Sequence, residues 1–287
     1  MTSGTLPILA ALPPGFLLAL VAVVGLCVGS FLNVVISRLP AGESVVRPGS
    51  HCACGAPIPW HLNIPVLSWL VLRGRARCCG RPISWRYPAV ELVTAAAFVL
   101  CWRRFAGDPG SAVCGWVFVS ALIAAAVIDW QHLIIPEPLT LGLGVLGVFL
   151  SVLHPGLHRQ WESPFFFASL RSAGIAVTGL AVGSGLLLWI ACLATSALKR
   201  EAMGMGDVIF VGAIGTFCGW HGALFAIFGG AALGALLAPL ILLKGSAGVR
   251  EARLPFGPLL AAGAAAYFLG LSGPVDAWFA RSAALFH

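Results

Sequence analysis

Residues Leu12 to Ile36 read LPPGFLLALVAVVGLCVGSFLNVVI, an apolar run without a single charged side chain. A bilayer core needs about 20 such residues in a helix. The run is therefore expected to span a membrane, and no Lys or Arg precedes Arg38 to suggest the basic start of a cleaved leader. The rest of the chain agrees. Of 287 residues 59% are hydrophobic and 9% charged, and the mean hydropathy is +0.96. Soluble domains are about 25% charged, so this chain lacks the polar surface to face water all round.

Further apolar stretches fall near 88–105, 112–129, 138–154, 172–197, 207–220, 222–243 and 256–272. The expected fold class is all-α and polytopic, with about eight transmembrane helices. The pair near Trp220-His221-Gly222 is divided only by a short turn signal. An even count puts both termini on one side. With them outside, the inner loops receive Arg38, Arg47, the Arg73 to Arg86 cluster, Lys199, Arg200, Lys244, Arg250 and Arg253. The outer loops receive Arg103, Arg104, Arg159, Arg171 and Arg281. That excess inside is the usual orientation signal, and it accounts for much of the net charge of +7. A nucleic-acid partner is not expected, because no aromatic platform accompanies the arginines; the lipid bilayer is the partner of the basic inner face.

Residues 37–87 break the apolar pattern with clustered Pro, Arg and four of the nine Cys. The chain divides into a first helix (1–36), a small cytoplasmic domain (37–87) and a seven-helix membrane domain (88–287). The inserted domain is too short for a substantial core of its own, so a metal is a reasonable staple. Cys52 and Cys54 form one cluster, Cys78 and Cys79 the other, and His51 is an alternative ligand. Zinc takes four S or N donors, commonly from two Cys-x-x-Cys turns. Neither cluster has that spacing, so zinc and a degenerate site both stay open, with a turn ending in Gly80 as one way to bring the adjacent pair together.

Only four Asp occur. Asp108 and Asp276 read as loop charges. Asp129 ends the third span and Asp207 opens the sixth in MGMGDVIFVGA, both at the inner membrane edge. Ionisable groups there are costly and mark functional sites. Gly204 and Gly206 bracket Met205 and are expected to free the backbone beside Asp207. Two carboxylates converging in a partly dry site share a proton and can hydrolyse a peptide bond without metal or covalent intermediate. Asp207 could equally cap a helix, and the sequence does not show that the pair meets in space. No Gly-x-Ser-x-Gly, His-Glu-x-x-His or phosphate-loop motif competes.

Six segments then carry a resemblance to the bacterial type IV prepilin peptidases, of the Gly-x-Gly-Asp aspartic protease class. They are GSFLNVVISRLP (Gly29 to Pro40), NIPVLSWLVLRGR (Asn63 to Arg75), ISWRYPAVEL (Ile83 to Leu92), Asp129 followed by Pro136 and PLTL, MGMGD (Met203 to Asp207) and LPFGPLLAAG (Leu254 to Gly263). The resemblance implies that Asp129 and Asp207 are the catalytic aspartates and that Gly204 and Gly206 form the active-site loop. It implies cleavage of a short basic leader after a Gly from prepilins or type II secretion pseudopilins, at the cytoplasmic face of the bacterial inner membrane, without a cofactor for proteolysis. The inserted domain implies N-methyltransferase activity with S-adenosylmethionine as donor. Two departures stand out: Ala76 and His51 occupy places where the family has Cys, and Glu137 follows Pro136 where Asp is common. The rival readings are a related intramembrane protease with another substrate and a transporter or assembly subunit.

Overall fold

The computed structural model describes residues 13–199, 203–244 and 255–284. The apolar stretches become helices: α1 (Pro14–Arg38), the short α2 (Leu67–Val71), α3 (Arg86–Arg104), α4 (Pro109–His132), α5 (Glu137–Leu153), α6 (Phe165–Leu198), α7 (Met205–Lys244), α8 (Gly257–Ala266) and α9 (Ser272–Ala284). A π-helical turn at Tyr267–Leu271 joins the last two. Among the described residues there is no strand, only the isolated bridges His51↔Pro57 and Arg75↔Pro82. Among the described residues five apolar helices are long enough to cross a membrane: Pro14–Ala41, Pro109–His132, Phe165–Leu198, Met205–Leu237 and Gly257–Ala284. α5 is apolar but shorter.

The two stretches divided at Trp220 form one long helix, α7, broken at Gly219. Gly219 has φ 66° and ψ −178°, a conformation only glycine holds without strain. Pro136 fixes the entry to α5, and Glu137 sits in its first turn, where the helix dipole favours a negative charge. Arg200, Arg250 and Arg253, part of the inner-side charge, lie outside the described residues.

Contacts divide the chain into two units, Met1–Ala124 and Ala125–His287, with the boundary inside α4. In the first unit α1 and α3 touch backbone to backbone. A Cβ on Gly25 would come within 2.6 Å of the Ala95 Cα, and one on Gly29 within 2.6 Å of the Glu91 Cα. Glycines four apart open one helix face so that the neighbour can approach; in lipid, van der Waals packing of this kind replaces the hydrophobic effect.

In the second unit α7 packs against α5, α6 and α8, and its first half is buried: Phe210, Val211, Ile214 and Phe217 are at most 1% exposed. Gly179 of α6 meets Gly215 of α7, and a side chain on either would run into the other's carbonyl. Gly174, five residues earlier, has nothing within 4 Å of its Cβ position. Gly179→Ala is therefore expected to lower stability by about 1–3 kcal/mol, the range for overpacking. Gly174→Ala is expected to be neutral or slightly stabilising, as usual for a helical glycine. Thermal unfolding of the two variants in detergent checks the contrast.

Candidate active site and metal centre

Two places gather groups able to do chemistry, one in each unit.

In the second unit Asp129 lies in the last turn of α4 and Asp207 in the first turn of α7. Asp129 is 5% exposed, and its Oδ2 accepts the backbone N–H of Gly257 at 2.8 Å. Gly257 is the first residue of α8, so this N–H is one of those that a helix start leaves without an intrahelical partner. The start of α8 thus gives a buried carboxylate both a hydrogen bond and the positive end of a dipole. Asp207 is half-buried, and the charge of Asp129 reaches it. Among the described residues no donor meets the Asp207 carboxylate. It lies inside the helix rather than at its cap, and its own N–H bonds to the Gly204 carbonyl at 3.2 Å. Capping therefore does not account for this carboxylate.

The glycines act differently from the sequence expectation. Neither Gly204 nor Gly206 takes a positive φ. Gly206 is within α7, and a Cβ there would press on the Ile135 carbonyl at 3.3 Å and the Ile135 Cβ at 3.4 Å. What it supplies is close approach, not backbone freedom. A Cβ at Gly204 would make only ordinary contact, at 4.0 Å from Asp207 Oδ2. Ile135 belongs to the short link after α4, which turns at Leu133 with φ 55°. This link brings the segment after Asp129 against the segment before Asp207. His132 ends α4 and is exposed.

The residue that sequence reasoning left unassigned is Gly257. A Cβ there would stand 2.7 Å from Asp129 Oδ2 and 3.1 Å from its Cγ. The Phe-Gly-Pro run at 256–258 was visible as a motif, but its partner is 128 positions away in the chain.

In the first unit the inserted segment forms two tight turns. Cys52 N–H bonds to Ala56 O and Gly55 N–H to Cys52 O, with Gly55 at φ 86°. Ala76 N–H bonds to Arg81 O and Gly80 N–H to Ala76 O, with Gly80 at φ 67°. Each turn delivers two sulfurs. Cys54 Sγ lies 3.4 Å from Cys78 Sγ, Cys52 Sγ lies 3.6 Å from Cys79 Sγ, and all four are within 4.8 Å of one another. Tetrahedral coordination with metal–sulfur bonds of 2.3 Å puts neighbouring sulfurs about 3.8 Å apart. The four sulfurs fit such an ion, and the cluster could hold a metal. The Cys54 backbone N–H, together with the Cys78 and Cys79 thiols, lowers the Cys52 thiol to about 7, while the hydrogen bonds with Cys52 and Cys54 push the Cys78 thiol up to about 12. The alternative ligand His51 is not among the converging groups. Its Nδ1 stands 3.0 Å from Gly49 O and 3.5 Å from the Arg38 guanidinium, because the bridge to Pro57 turns residue 51 away from Cys52 and Cys54.

Comparison with known proteins adds two family matches. Residues 23–105 match the bacterial peptidase A24 N-terminal domain, and residues 116–239 match the type IV leader peptidase family. A prepilin leader peptidase/N-methyltransferase of Myxococcus xanthus is 41% identical over 79% of this chain and 64% of its own length. One of Burkholderia pseudomallei is 35% identical over 92% of this chain and 89% of its own. The type 4 prepilin-like proteins leader peptide-processing enzyme of Escherichia coli O78:H11 is 37% identical over 87% and 93%. No solved structure matches the chain.

The metal centre has a direct check. Elemental analysis of the purified chain is expected to give about one equivalent of a thiolate-bound metal, lost in Cys54→Ser and retained in His51→Ala.

Proposed function

The chain belongs to the type IV leader peptidase family, and from that premise we propose that it is a membrane aspartic endopeptidase and N-methyltransferase of prepilin-like substrates. It removes the short basic leader of prepilins or pseudopilins after a Gly and methylates the new N-terminus. One observation carries the peptidase reading: Asp129 is buried and held by the Gly257 N–H, its charge reaches Asp207 in the first turn of α7, and the link that follows it packs through Ile135 on Gly206 beside Asp207.

The chemistry follows from that arrangement. Two adjacent carboxylates hold one proton between them, since both cannot ionise cheaply in a partly dry site. The ionised member takes a proton from water as the water oxygen attacks the scissile carbonyl. The protonated member gives its proton to the carbonyl oxygen. Collapse of the tetrahedral species breaks the C–N bond, and the leaving amine receives a proton. The Gly257 N–H occupies Oδ2 of Asp129 and fixes the carboxylate plane, so that Oδ1 is the oxygen left to work on water. No cofactor enters this reaction.

S-adenosylmethionine would supply the methyl group as a sulfonium. Its acceptor would be the neutral amine exposed by cleavage. The four sulfurs of Cys52, Cys54, Cys78 and Cys79 suit zinc, closed on all four sides and therefore structural, a staple for the inserted segment. The protein is a multi-pass membrane protein; we place it in the bacterial inner membrane with both termini periplasmic and the aspartates at the cytoplasmic face, as the distribution of Lys and Arg supports.

Three results test this reading. Purified protein in detergent, mixed with a substrate of basic leader, Gly and apolar helix, is expected to cut after the Gly. Asp129→Asn and Asp207→Asn are each expected to lower the rate at least about a thousandfold, as loss of a member of a paired catalytic set does. Gly257→Ala is expected to cost about a hundredfold by displacing the Asp129 carboxylate, with a loss of stability of about 1–3 kcal/mol, the range for overpacking. Mass spectrometry of the products reads all three. Cleavage that survives both Asp variants overturns the site.

A further inference from the structure

The inserted segment leaves one apolar helix face turned away from the protein. In α2, Leu67, Leu70 and Val71 follow the i, i+3, i+4 spacing of a single face, and they are 58%, 56% and 78% exposed. The opposite face is tied down. Trp69 Nε1 donates to Ile83 O at 3.1 Å, and a Cβ on Gly74 would press on the Trp69 ring at 3.2 Å. Just before the helix, the Val66 N–H donates to Glu91 Oε2 at 2.7 Å. The fold thus sets the outward direction of the three apolar side chains.

The depth at which α2 stands follows from the packing of α1 and α3. Gly29 lies against Glu91 and Gly25 against Ala95, so these helices run antiparallel in a countable register. Gly29 is seven residues, about 10.5 Å, inside the end of the uncharged run at Ile36. Glu91 shares that level, and its side chain leans back toward the start of α3. The carboxylate that holds Val66 therefore lies at the apolar boundary, not in the water beyond it. The same register sets Trp85, 73% exposed, level with Val35 near the end of that run. Residues 44–49 are placed differently. The guanidinium of Arg38, the last residue of α1, donates to Ser44 O, Pro48 O and Gly49 O, which keeps this loop at the helix end.

Charge selects what covers the face. Residues 37–87 carry seven Arg and one Glu. Arg73, Arg75 and Arg77 follow α2 directly, are exposed, and make no ion pair among the described residues. A second copy of the chain would bring two such clusters together, and like charges across an interface repel. Apolar side chains at the hydrocarbon edge, an exposed Trp at the same level and arginines beside them match a helix lying in the surface of an anionic membrane.

We propose that the outer face of α2 is seated in the inner leaflet, with Leu67, Leu70 and Val71 among the acyl chains and Arg73, Arg75 and Arg77 on headgroup phosphates. The inserted segment is then pinned to the bilayer by a helix of its own as well as by the spans that flank it. This goes beyond a general attraction of basic loops to anionic lipid, and it depends on neither the peptidase nor the methyl-transfer reading.

The test is lipid contact on the unaltered protein. The full chain is reconstituted in vesicles of phosphatidylcholine and phosphatidylglycerol that contain a phospholipid with a diazirine in its acyl chain. After irradiation the adducts are mapped by peptide mass spectrometry. Residues 64–72 are expected to carry label within about threefold of that on α1, and residues 44–49 at least about tenfold less, as an interfacial helix and an aqueous loop should. Leu70→Glu combined with Val71→Glu is expected to cut the label on 64–72 at least about fivefold and to leave that on α1 unchanged, which also reports that the variant has folded. Arg73, Arg75 and Arg77 changed together to Gln are expected to abolish the gain in label at 64–72 that phosphatidylglycerol gives the parent. Label on α1 with none on 64–72, or equal label on 44–49 and 64–72, overturns the placement. Adducts joining residues 64–72 of two copies, in place of lipid adducts, overturn it as well.

Discussion

A carboxylate buried in an apolar chain has to be satisfied by something, and the N–H of Gly257 on Asp129 is what satisfies it here. The idealised cost of burying an unpaired carboxylate is large. Helix starts are the cheapest remedy available in such a chain, because they carry unpaired N–H groups and a positive partial charge without any cationic side chain. The second unit uses two of them. α8 begins at Asp129, and α7 begins with Asp207 in its first turn. Two carboxyl groups are thereby accommodated with, among the described residues, no Lys or Arg as counter-ion in their hydrogen bonds. A cation at that place would favour the ionised form of both carboxylates.

That constraint extends into the packing. For the start of α8 to reach Asp129 the residue there must lack a side chain, and for the start of α7 to lie against Ile135 so must Gly206. The same economy recurs away from the site, where Gly179 meets Gly215 and Gly183 accommodates Ala223. Such contacts let α7, the helix of Asp207, sit deep among its neighbours. A rigid, buried α7 fixes one carboxylate, and the N–H of α8 fixes the other.

Much of this was legible in the sequence, for identifiable reasons. Span positions follow from hydropathy, which is a local property; among the described residues the apolar stretches became helices, and the pair divided near Trp220 runs on as α7 through the break at Gly219. The two aspartates stood out because charges are so scarce that each could be weighed singly. What stayed hidden was pairing at a distance. Asp276 reads as a loop charge, yet it lies in α9 and accepts from Tyr267 at 2.7 Å beside the His221 ring at 3.0 Å. The partner of Asp129 is a backbone N–H, which has no sequence signature at all. Gly25 and Gly29 form a small-xxx-small pair that could have been found by its spacing, and they mark the contact with α3.

The cysteines show why spacing rules left one place open. Cys-x-x-Cys is common because a tight turn puts its first and fourth residues on the same side. What the ion requires is four sulfurs at one point, and the number of residues between them matters only through the turn. Here the first turn closes over Cys52 to Gly55, with a glycine at φ 86°, and aims residues 52 and 54 inward. In the second, Ala76 stands where a ligand would be expected and instead takes both backbone bonds that close the turn, to Arg81 and Gly80. That frees the adjacent Cys78 and Cys79 to face opposite members of the first pair. A displaced ligand is thus compensated by a shifted turn, and the two positive-φ glycines are better markers of the site than the intervals between its cysteines.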